Sequence, residues 1–92
     1  MFNQVIKSLE AVRDEIDSRN SEMALEKLTA VLLQLTDLFG HDKNFMGRCD
    51  SILEQLRGEI QKKKYDEAWA TVVGVLASLR KAQSIGNPFI RG

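Results

Sequence analysis

Lys62-Lys63-Lys64-Tyr65-Asp66-Glu67-Ala68-Trp69-Ala70-Thr71-Val72-Val73-Gly74-Val75-Leu76-Ala77-Ser78-Leu79 is the stretch that decides the fold. A corner of three lysines opens into a segment whose apolar members, Tyr65, Ala68, Trp69, Val72, Val75, Leu76 and Leu79, recur every three or four positions. That spacing lines one stripe of an α-helix. The same pattern stands once earlier in the chain. A shift of 44 positions lays Leu9, Glu10, Arg13, Glu15, Ile16, Ala24, Val31, Leu32 and Leu35 on Leu53, Glu54, Arg57, Glu59, Ile60, Ala68, Val75, Leu76 and Leu79, nine identities over the 27 positions from 9 to 35. Two copies of one helical hairpin are expected, and with them an all-α fold: a four-helix antiparallel bundle of two tandem hairpins in a single domain over residues 1–92. Copy one covers about residues 2–39, copy two about 45–83, and a C-terminal tail about 84–92.

Working outward, Phe2, Val5, Leu9, Val12 and Ile16 form the stripe of a first helix over about residues 2–18. The cluster Ser18-Arg19-Asn20-Ser21 ends it, and Ser21 is the expected N-cap of a second helix, whose stripe is Ala24, Leu25, Leu28, Val31, Leu32, Leu35, Leu38 and Phe39. Gly40 is its expected stop, through the left-handed conformation glycine accepts. After a connector at His41–Asn44, with Asp42 or Asn44 as cap, Phe45 or Met46, Cys49, Ile52, Leu53, Leu56 and Ile60 rebuild the stripe in a third helix. The fourth runs over about residues 66–83 and ends at Gly86 and Pro88. Ala30 falls on Gly74, a small residue in both second helices, which predicts a close helix approach there; Trp69 is expected in the core.

Lys64-Tyr65-Asp66-Glu67-Ala68-Trp69 resembles the middle of a tetratricopeptide repeat, where a tight turn leads into Tyr-x-x-Ala and the small Ala lets paired helices touch. The likeness covers about a dozen residues; the period is 44 where that repeat has about 34, and its Trp-x-x-Leu-Gly opening is absent. The alternation of helix and short turn is also similar to the small helical domain shared by steroid receptor RNA activator protein and a coat-vesicle scaffold protein. Both resemblances imply hairpins used for protein contact.

Thirteen basic and thirteen acidic groups cancel, so no global field draws in nucleic acid or an anionic membrane. Residues 1–46 hold five basic and eight acidic groups, net −3, and residues 47–92 hold eight and five, net +3. One cysteine cannot close an internal disulfide, and Lys7 and Glu10 interrupt any apolar leader, so a cytoplasmic setting is expected. The longest apolar run, Val72 to Ala77, is far short of the roughly 20 residues of a membrane helix.

Little in the chain suggests catalysis. His41 is the sole histidine and lies in a connector, Cys49 occupies a stripe position, and together they fall short of the four ligands of a structural zinc site. The glycines never cluster into a phosphate-binding loop. No enzyme, cofactor or metal is expected. Binding is. Ile6, Met23, Leu33 and Phe39 fall on Asp50, Glu67, Ala77 and Gln83 in the other copy, an apolar excess that marks copy one. With Phe89 and Ile90 of the tail they are the expected protein-interaction residues of a small adaptor or regulator that also pairs with itself as a homodimer. The alternative is a nucleic-acid-associated regulator that uses Arg57, Lys62, Lys63, Lys64, Arg80 and Lys81.

Overall fold

A computed structural model describes residues 2–85. Four helices account for nearly all of it: α1 (Asn3–Asp17), α2 (Ser21–Phe39), α3 (Lys43–Gln61) and α4 (Tyr65–Ile85). No strand occurs among the described residues. Each connector is three residues long, too short for anything but an antiparallel return, so the helices form an up-and-down bundle with extents of 43 × 25 × 17 Å. The helices pack as a ring, α1 on α2, α2 on α3, α3 on α4 and α4 back on α1. Gly86, Pro88, Phe89 and Ile90 lie outside the described residues.

The apolar stripes meet along the axis of that ring. Val5, Leu9, Val12 and Ile16 of α1, Ala24, Leu28, Val31 and Leu35 of α2, Leu53, Leu56 and Ile60 of α3, and Ala68, Val72 and Leu76 of α4 are all buried. No polar or charged residue is buried among them. The small Ala24 of α2 and Ala68 of α4 are both 0% exposed. At one end of the bundle Phe39 stacks on Phe2 with ring centroids 5.4 Å apart and tilts against Phe45 at 4.5 Å, tying the starts of α1 and α3 to the end of α2.

The two hairpin corners share one hydrogen-bond pattern. In the first, Arg19 N–H donates to Ile16 O at 3.0 Å and Asn20 N–H to Glu15 O at 2.8 Å; in the second, Lys63 N–H donates to Ile60 O at 3.0 Å and Lys64 N–H to Glu59 O at 2.9 Å. These paired bonds are the Schellman motif, which needs a left-handed residue just past the helix. Arg19 (φ 58°) and Lys63 (φ 59°) supply it although neither is glycine. The left-handed region costs a β-carbon-bearing residue about 1–2 kcal/mol, and glycine returns part of that gain as backbone entropy. Lys63→Gly is therefore expected to stabilise the fold by about 1 kcal/mol, raising Tm by about 4–8 °C for a domain of this size in calorimetry. An unchanged or lower Tm would show that the corner is not strained.

The local signals are corrected at several places. Asn20 rather than Ser21 caps α2, its Oδ1 accepting from Met23 N–H at 3.2 Å, because the left-handed turn at Arg19 delivers Asn20 to the helix entrance. Asp42 caps α3 through Phe45 N–H at 3.0 Å. Gly40 does not adopt the left-handed conformation: its φ is −58°. The demand for glycine there is steric, since a β-carbon would stand 2.6 Å from Thr36 O.

Candidate protein-binding groove

Three stripe residues expected inside are exposed, Trp69 at 43%, Ile52 at 42% and Leu38 at 39%. For Trp69 the reason is its place at the edge of the α4 stripe, one position past the buried Ala68. There it lines a shallow cleft with Ile16, Asp17 and Tyr65 at the first corner, where Arg19 lies over the Tyr65 ring at 5.1 Å and Tyr65 Oη donates to Arg19 O at 3.3 Å. Ile52 is exposed for a different reason, which lies in the spacing of two helices.

Of the four interfaces in the ring, α3 against α4 is the sparsest. The α4 face beside that seam carries Ala70, Gly74, Ser78 and Ala82, four small residues at steps of four that lie along one ridge of the helix. A β-carbon at Gly74 would meet nothing within 4 Å, so glycine here opens space instead of admitting a neighbour. The close approach expected at Ala30 and Gly74 is absent, both residues being exposed. The result is an open groove of about 620 Å³. Phe45, Cys49 and Ile52 form its α3 wall, Val75 and Leu79 its α4 floor, and Phe2 closes one end. Arg48, Gln55, Thr71 and Ser78 are its polar lining. Thr71 Oγ donates to Glu59 Oε1 at 2.8 Å, a cross-helix bond that pins the hairpin near the corner end of the groove.

The chemistry of the groove is apolar contact. Burial and the Asp50 carboxylate push the Cys49 thiol above its ordinary pKa, against a smaller opposing pull from Arg48. The thiol stays protonated at neutral pH and is a weak nucleophile. Among the described residues no three of His, Cys, Asp and Glu cluster as metal ligands would, and no helix is long and apolar enough to cross a membrane.

The interaction residues expected from sequence are scattered by the fold. Leu33 stands 63% exposed on α2, while Ile6 and Phe39 pack against the core and Met23 is half-buried in the first turns of α2. Phe89 and Ile90 lie outside the described residues. The basic residues divide as well. Lys62, Lys63 and Lys64 sit at the second corner, whereas Arg80 and Lys81 lie 16 or more residues along α4, about 24 Å away at helical rise. Arg57 contacts Glu54 at 3.2 Å, Lys64 reaches Glu67 at 3.9 Å, and Arg80 holds Glu10 at 2.6 Å. The groove itself went unread in the sequence, although the small residues at 70, 74, 78 and 82 were its visible signal. The chain matches no protein-family model, no curated protein and no solved structure.

Proposed function

We propose that the chain is a small non-enzymatic protein-binding module, an adaptor or regulator of the cytoplasm, that docks an apolar helical surface in the α3–α4 groove. The observation that carries this reading is the groove's wall and floor: Ile52 is 42% exposed beside an unfilled Gly74, over Val75 and Leu79. Filling such a space removes apolar area from water at about 25 cal/mol per Å². A strip of small residues along one helix face, bordered by apolar side chains, is a surface suited to a partner helix.

A photo-crosslinking amino acid at Ser78, introduced in cells that make the chain, tests it. Discrete protein adducts are expected at Ser78 and not at a control position, Glu26, on the exposed face of α2. Gly74→Leu should abolish them while leaving the fold intact, because a β-carbon there would meet nothing within 4 Å and leucine is a better helix former than glycine. Equal labelling at the two positions, or adducts untouched by Gly74→Leu, would overturn the reading.

A further inference from the structure

The charges flanking the groove say what occupies it. Glu67 and Lys81 lie seven residues before and seven residues after Gly74 on α4. Seven residues are two helical turns short of about 20°, so all three share one face, the face that carries Ala70 and Ser78. Such an arrangement is its own complement. If two α4 helices lie antiparallel with a two-fold axis at Gly74, Glu67 of each falls opposite Lys81 of the other, and Ala70 opposite Ser78. Both are exposed, and the intrachain neighbour of Glu67 is Lys64 at a loose 3.9 Å.

The neighbouring helix fits the same axis. Ile52 lies ten residues before the lysine corner and Gly74 ten residues after it, so both stand about 15 Å from the corner. In that arrangement the exposed Ile52 would face its own symmetry mate beside the paired glycines, as residues near the axis of an isologous interface do. Gly74 is also one residue from the midpoint of α4, Tyr65–Ile85, so the overlap runs nearly the full helix.

We infer that the occupant of the groove is a second copy of this chain: two α3–α4 hairpins close face to face, antiparallel about Gly74, with Glu67–Lys81 pairs across the seam at both ends. This rests on the groove being a protein-docking surface, and it names the partner. Two helices about 30 Å long and 10 Å wide cover about 600 Å² per copy, near the lower limit for a specific interface. The dimer is accordingly weak and forms in the micromolar range.

The test is sedimentation equilibrium on the full chain from about 5 μM to about 500 μM, a span that brackets such a dimer. Glu67→Lys and Lys81→Glu each set like charges opposite one another at two places, and each should weaken association about tenfold or more. The double variant Glu67→Lys/Lys81→Glu should restore it to within about threefold of the natural chain, because the pattern is again complementary. Gly74→Leu should leave a monomer, with circular dichroism reporting an unchanged helix content. A natural chain that stays monomeric throughout would overturn the inference, and Ser78 adducts of other masses would then leave the docking reading standing with a different helical partner. A dimer indifferent to Gly74→Leu, or single reversals that the double variant does not repair, would overturn it too, by placing self-association elsewhere. Loss of dimer and of every Ser78 adduct would remove both readings together.

Discussion

Replacing Leu56 by alanine is expected to lower the stability of this bundle by about 2–5 kcal/mol. Leu56 is 0% exposed in the C-terminal half of α3, among the largest fully enclosed side chains of the core. Truncation removes its transfer free energy and leaves a cavity that four short-looped helices cannot collapse to fill. Stability of about 0.05–0.15 kcal/mol per residue gives a domain of this length roughly 5–14 kcal/mol in all, so one side chain accounts for a large share. Urea denaturation followed by circular dichroism measures it as a lower midpoint at unchanged slope. A loss below about 1 kcal/mol would show that the site is not enclosed.

Phe39→Ala comes next, at about 2 kcal/mol, less than the 3–5 of a fully buried phenylalanine because the ring is half-buried. Its ring touches both Phe2 and Phe45, so truncation loosens the ends of three helices at once. Leu33→Glu is the informative partner experiment. Leu33 is 63% exposed, and its replacement should change stability by no more than about 0.5 kcal/mol. The two residues entered on the same sequence argument, an apolar excess in the first hairpin, and thermal unfolding separates them. Equal effects would mean that Phe39 is as free of the core as Leu33.

That separation shows what the sequence carried and what it did not. Periodicity located all four helices to within about two residues at nearly every boundary, because helical spacing is a property of each segment alone. It likewise identified Val5, Leu9, Val12 and Ile16 as a buried stripe. The corners were harder to read, since both place a non-glycine residue in the left-handed region, and Arg19 and Lys63 carry no local mark of that role. Harder still was the groove. Whether a stripe's edge is covered depends on how closely two helices approach, and a residue such as Ile52 has the same spacing in either case. Gly74 was visible as a small residue, yet smallness serves a tight contact and an open channel equally well. Only the α3–α4 separation decides between them.

The seam between α1 and α4 has a consequence in time. Arg80 holds Glu10 at 2.6 Å and Gln83 Nε2 donates to Asn3 Oδ1 at 2.9 Å, contacts that span 70 and 80 residues of chain, whereas Lys27 meets Glu15 at 2.6 Å across only 12. Joining distant ends costs loop-closure entropy that a hairpin with a three-residue connector barely meets. Each hairpin is thus expected to zip early and locally, and the encounter of the first helix with the last is expected to be the slow step of folding.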